Sequence, residues 1–182
     1  MRIYNVKSDT SVITGEYPFH KKLKEELLPL LEKSPDHQDK KTNVKATMTE
    51  WQWQEDNPRV KRLKECALAE VRSHPLFRQI EFKFGDTPLN VIFKEFWGNI
   101  YYKGDYTRVH DHFGTQSSFA FVYFLKTKWY HPPFTFSESG KKIKQKEGTY
   151  LIFPGYLKHH VLQNRFDETR ITLSGNLIIK KP

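Results

Sequence analysis

From about residue 79 onward the sequence settles into a rhythm that few architectures satisfy. The runs "IEFKF", "LNVIFKEFWGNIYY", "SSFAFVYFL", "FTFSE", "TYLIFPG", "HHVLQ" and "RITLSGNLII" are rich in β-branched and aromatic residues. Clusters of Gly, Pro, Asp and Lys separate them at a spacing of roughly 8–15 residues, the pattern of short antiparallel strands in a sandwich or barrel. No internal repeat and no low-complexity segment interrupts it.

The chain ahead of this region reads differently. Residues 2–6, "RIYNV", predict a short strand. Phe19, Leu23, Leu27, Leu30 and Leu31 recur at helical spacing between Phe19 and Lys33. Pro29 is expected to kink this helix or divide it. "SPDHQDKK" (34–41) is a polar loop, and "TNVKATMTEWQW" alternates as an edge strand does. A second helix has a clear start, because Asn57 suits an N-cap and Pro58 the first helical position. Val60, Leu63, Ala67 and Val71 then share one face up to Ser73. Cys66, within this helix, is expected to pack rather than react. The expectation is one α+β, mainly β domain over 1–182, with helical and strand support in 1–78 and the β core in 79–182.

Composition narrows the classes. A chain of 182 residues can bury a core without staples, and an aromatic content of 15% predicts a core of Phe, Tyr and Trp. A single cysteine excludes a disulfide framework and a cysteine-rich zinc finger. The stretch "MRIYNVKSDT" lacks the apolar centre of a signal peptide, and no run approaches the roughly 18 apolar residues of a membrane span. The expected location is the cytoplasm, with no membrane partner. The net charge of +9 could attract nucleic acid or an acidic partner. Its one dense patch, "KKIKQK" (141–146), reads as a solvated hairpin or loop in preference to a nucleic-acid footprint.

The chemistry gathers around histidines. "TRVHDHFGTQ" (107–116) holds His110, Asp111 and His112. Alternate residues of a strand share a face, so His110 and His112 point one way and Asp111 the other. Two imidazoles on one face form a metal clamp that needs a third ligand, for which His159 and His160 of "FPGYLKHHVLQ" are the candidates. His20, His37, His74 and His131 lack such a setting and read as surface or packing residues. Arg170 opens "RITLSGN" and shares a strand face with Thr172 and Ser174. A guanidinium fork with a hydroxyl beside it can hold a carboxylate.

This set resembles the Fe(II)/2-oxoglutarate-dependent oxygenases, whose pattern is His-x-Asp/Glu, a later His, then Arg-x-Ser/Thr. It is most similar to the small 2-oxoglutarate–Fe(II) oxygenases of bacteria and tailed phages. The matching residues are Trp97 and Asn99 in "FWGNI", His110 and His112 in "HDH", Tyr123 in "FVYFL", Pro154, Leu157, His159 and Val161 in "FPGYLKHHV", and Arg170, Thr172 and Asn176 in "RITLSGN". The resemblance implies a double-stranded β-helix (jelly roll) and a cytoplasmic enzyme, in the host cytoplasm if phage-encoded. It implies Fe(II) on His110, His112 and His159, the FPxxLxH register selecting His159 over His160. It implies 2-oxoglutarate with its distal carboxylate on Arg170, and Thr172, Tyr123 or Tyr101 as hydroxyl donors. Succinate and CO2 would be co-products of hydroxylating a protein residue such as prolyl, or a small molecule.

Two departures matter. About two extra residues separate His112 from the aromatic strand, and His112 itself stands where the pattern commonly has a carboxylate. Three arrangements remain open: three histidine ligands, His112 placed behind a two-histidine site, or a bulge near Gly114 that turns Asp111 inward. The first is the expectation. Two other functions fit part of the sequence. Gly104, His110, His112 and Gln116, with Gly148, Pro154 and His159, follow cupin spacing, though Gln116 and Tyr156 replace a Glu and a Gly. That would give a metal-dependent enzyme or binding protein on the same barrel without 2-oxoglutarate. The other is a non-enzymatic basic β-sandwich that binds a partner.

Overall fold

The alternating segments pair into two antiparallel sheets in a computed structural model that describes residues 2–7, 10–37, 42–75 and 90–180. The N-terminal elements are β1 (Arg2–Lys7), β2 (Thr10–Glu16), α1 (His20–Lys33), β3 (Val44–Lys45), β4 (Thr47–Met48) and α2 (Pro58–Ser73). Then follow β5 (Asn90–Tyr101), β6 (Tyr106–His110), a 3-10 turn (Phe113–Thr115), β7 (Phe119–Lys126) and β8 (Phe134–Phe136). The last are β9 (Lys142–Ile143), β10 (Thr149–Pro154), β11 (His159–Val161) and β12 (Arg170–Lys180). The larger sheet runs β1-β2-β10-β7-β12-β5-β4 and the smaller β3-β6-β11-β8-β9. The expected strand "IEFKF" lies outside the described residues.

Strand parity sorts the side chains into two cores. On β7, Phe121, Tyr123 and Leu125 cluster with Leu23, Leu27 and Leu31 of α1 and Val60, Leu63, Ala67 and Val71 of α2. Ala120, Val122 and Phe124 of the same strand pack with Phe134, Phe136 and Phe153 between the sheets. Each Val, Leu or Phe among them, fully buried, contributes roughly 1.5–3 kcal/mol. The helices therefore back the larger sheet and leave its other face to the interior of the sandwich.

Helix α2 starts as its residues dictate, with the Asn57 side chain accepting from the backbone N–H groups of Arg59 (2.9 Å) and Val60 (3.3 Å). Helix α1 departs from expectation. It continues through Pro29, and its buried face is Leu23, Leu27 and Leu31, while Phe19 and Leu30 are 39% and 36% exposed. Proline removes one backbone donor, and the leucines seated on the sheet to either side of it hold the helix together. Phe19 instead lies under the Arg62 guanidinium, 3.9 Å from the ring centre. The single edge strand expected over 42–53 is also corrected. Val44–Lys45 pairs with β6 in the smaller sheet and Thr47–Met48 with β5 in the larger, so this segment crosses between sheet edges at Ala46.

Candidate metal centre

His110 ends β6 and His159 begins β11, and the two are direct partners in the antiparallel register. Cross-strand pairing alone therefore brings their rings to 4.3 Å between centroids. Phe134 stacks on the His159 ring at 5.0 Å, and Phe153 meets it edge-on at 4.9 Å, so its orientation is set by packing. His112 arrives by another route. It lies beyond the end of β6 and precedes the 3-10 turn, so strand parity does not place it. Its backbone N–H donates to the Gly155 carbonyl at 2.7 Å, and the Gly155 N–H donates to the Ser118 carbonyl at 3.0 Å. A Cβ at Gly155 would lie 2.2 Å from the Ser117 carbonyl oxygen, so only glycine permits this approach. The His112 ring then lies parallel to that of His159, 5.2 Å away. One ring nitrogen from each of His110, His112 and His159 lies within 4.8 Å of the others.

The protons on these rings follow from their neighbours. His110 Nδ1 is 2.9 Å from the Arg108 carbonyl and His159 Nδ1 2.9 Å from the Leu157 carbonyl. A carbonyl only accepts, so each Nδ1 carries the hydrogen and each Nε2 keeps a lone pair. Burial lowers the pKa of His110, opposed by the Arg108 carbonyl. Burial and then the neighbouring His110 push His112 down to about 4, against the Asn176 amide beside it. Burial followed by His110 and His112 holds His159 well below the usual range. All three are neutral bases at pH 7. A convergent set of neutral imidazoles with oriented lone pairs fits a divalent transition metal. Asp111 does not join them, since its carboxylate accepts from the Phe113 N–H at 3.1 Å. His160 faces away and shares a 2.8 Å hydrogen bond with the Ser137 hydroxyl.

Arg170 opens β12 and is 1% exposed. Its Nε donates to Gln145 Oε1 at 2.6 Å, and its guanidinium carbon sits 4.7 Å from the centre of the Tyr101 ring. Nη1 has no hydrogen-bond partner. No ion pair among the described residues includes Arg170. Burial lowers its pKa, with Tyr101 working in the opposite sense. A buried cation without a counter-charge costs several kcal/mol, and an anionic ligand removes that cost. Thr172 and Ser174 follow on the same face, where the Asn99 amide donates to both hydroxyls at 3.3 and 3.0 Å. Trp97 Nε1 in turn donates to Asn99 Oδ1 at 3.0 Å. Arg170, Thr172 and Tyr101 line one cavity together with the three histidines. This donor set fits a carboxylate reaching past a metal.

Tyr123 is not brought to this cavity. It faces the helices, buried in their cluster, and its hydroxyl is 2.7 Å from His20 Nδ1. Burial, then Tyr17, raises its pKa. The register explains the difference: Tyr123 pairs with Leu173, whose neighbours Thr172 and Ser174 point to the opposite face. The sequence gives two contributors no role at the site, Gln145 and the motif residue Asn176. Gln145 lies in the lysine-rich stretch read as solvated, yet it is 7% exposed. The alternation of Ile143 and Gln145 with Lys142, Lys144 and Lys146 was the available signal. Asn176, buried on β12, holds Glu95 through its Nδ2 at 2.5 Å and lies against His112.

No protein-family model matches the sequence, and no curated protein matches it. Solved structures share its fold. The viral collagen prolyl hydroxylase of Paramecium bursaria Chlorella virus 1, in its 2OG complex, superimposes with a TM-score of 0.64 at 14% identity, covering 91% of this chain and 94% of its own. A prolyl-4-hydroxylase from Pseudomonas putida gives 0.63 at 14% identity, over 96% and 95%. HygX from Streptomyces hygroscopicus, with nickel and 2-oxoglutarate bound, gives 0.66 at 12% identity, over 92% and 82%. The chain therefore has the double-stranded β-helix fold of the 2-oxoglutarate–Fe(II) oxygenases.

Proposed function

We propose that this chain is an Fe(II)- and 2-oxoglutarate-dependent dioxygenase that hydroxylates a protein residue, such as prolyl, or a small molecule. The observation that carries this reading is Arg170: a fully buried guanidinium with an unpartnered nitrogen, in the same cavity as three convergent neutral histidines. A cupin-like metal site without 2-oxoglutarate gives such a cation no task.

The chain's residues divide the work. His110, His112 and His159 hold the metal through lone pairs whose direction the Arg108 and Leu157 carbonyls help to set. Arg170 takes the distal carboxylate of 2-oxoglutarate, with the Thr172 and Tyr101 hydroxyls on the same cavity wall. Phe134, Val122 and Val161 line the rest and exclude water. A metal held there would supply dioxygen activation coupled to oxidative decarboxylation of 2-oxoglutarate, one oxygen atom going to succinate, released with CO2, and the other to the substrate hydroxyl. Three neutral imidazoles would neutralise less of its charge than two and a carboxylate, and would retain Fe(II) less tightly.

Succinate formation from 2-oxoglutarate with Fe(II), ascorbate and oxygen tests the reading. Wild type should form succinate even without substrate, through uncoupled turnover. His110→Ala and His159→Ala should lower it by at least about 100-fold, the scale on which catalytic groups act. Wild-type output equal to that of both variants would overturn the proposal.

A further inference from the structure

Gln145 raises a question that the metal centre does not answer. It is almost fully buried, between the exposed Lys144 and Lys146. Its Oε1 accepts from Arg170 Nε at 2.6 Å, and its Nε2 donates to the Pro132 carbonyl, so its amide is held at both ends. With Nε tied and the guanidinium carbon over the Tyr101 ring, the guanidinium plane is fixed and Nη1 is the nitrogen left unsatisfied. Buried arginines usually meet a carboxylate. Here the partner is an amide, equal in shape and neutral, and the positive charge is left whole.

We infer that Gln145 is a positioning residue for carboxylate recognition, orienting Arg170 while leaving its full charge for the distal carboxylate of a bound 2-oxo diacid. The inference rests on the 2-oxoglutarate reading and deepens it. A glutamate at 145 could still accept from Nε, though it would lose the donation to the Pro132 carbonyl, and it would cancel the charge before any ligand arrived. The chelating end of the ligand lies at the metal and would not feel this change. The side chain thus sets selectivity for diacids over monoacids, and geometry and charge can be separated by substitution.

The test is calorimetric titration of the Ni(II)-loaded protein with two acids. 2-Oxoglutarate carries the distal carboxylate; 2-oxobutyrate has the same chelating end without it. Wild type should bind 2-oxoglutarate the more tightly. Gln145→Glu should weaken 2-oxoglutarate by roughly 30-fold or more and leave 2-oxobutyrate unchanged, as expected when a buried charge pair is lost. Gln145→Met keeps the charge, removes the acceptor, and should cut the preference by about fivefold to tenfold, an outcome that stands even if the glutamate variant does not fold. Lys144→Gln makes the same change in net charge at the exposed neighbour and should match wild type. A folded Gln145→Glu or Gln145→Met protein with the wild-type preference overturns the inference, as does equal weakening of both acids. Failure of the wild type to bind 2-oxoglutarate instead overturns the functional reading itself.

Discussion

His112 shows how a single side chain is placed by parts of the chain distant in sequence. Its backbone hangs on Gly155 and its ring lies against Asn176, which in turn holds Glu95 on the adjoining strand. Partners behind a metal ligand typically set its affinity within 10- to 100-fold. Asn176→Leu should therefore weaken Ni(II) or Co(II) binding by about that factor in a competition titration, while the fold persists; unchanged affinity would deny Asn176 this role. His112 also explains what strand parity could and could not show. Parity read through "HDH" set Asp111 apart from the two histidines, as the structure does, but on the assumption that the strand continued. The strand stops at His110, and a turn delivers His112 instead. Tyr123 was misplaced for the converse reason: it matched a motif, while its own strand parity assigns it to the helices.

At the level of elements, legibility followed the strength of local signals. Helix α2 could be read to its first residue because Asn57, Pro58 and a regular apolar face agree. Asn57→Ala should lower stability by about 1 kcal/mol, seen as a fall in thermal midpoint. The crossing at Ala46 could not be read, since strands of two residues carry no period. The Gly155 turn is the element on which the centre leans most. Gly155→Ala places a methyl group against the Ser117 carbonyl, 2.2 Å away before any adjustment, so the turn must move and carry His112 with it. The expected result is a loss of several kcal/mol in stability together with weakened metal binding. A variant with wild-type metal affinity would show that His112 is held independently of this turn.

For the whole molecule, two sheets close around the cavity lined by the three histidines and Arg170, and the helices only back the larger sheet. The strand rhythm predicted that architecture, because β-branched and aromatic runs broken by turn residues leave a clear trace, longest in β5, β7 and β12. The interior chemistry was legible only where short motifs carried it; Gln145 was hidden among lysines. No helix among the described residues is long and apolar enough to cross a membrane. Burial also gives the metal-free protein a pH signature. His74, His112, His131 and His159 all have pKa values lowered chiefly by burial. The unfolded chain therefore binds more protons below about pH 6.5, and stability falls as pH drops from there toward about 4, the value for His112. Each fully buried group contributes at most about 1.4 kcal/mol per pH unit within its shifted range. The thermal midpoint of metal-free protein should drop between pH 7 and pH 5, and a flat profile would contradict this assignment of neutral histidines.

In the proposed enzyme the three histidines and Arg170 form one site for a metal and a carboxylate. Anaerobic titration of the Fe(II)-loaded protein with 2-oxoglutarate tests it most directly, comparing wild type with Arg170→Ala and with Arg165→Ala, which removes an exposed arginine. Saturable binding is expected for wild type and Arg165→Ala, and its loss in Arg170→Ala. No saturable binding by wild type, or equal binding by all three proteins, would contradict it.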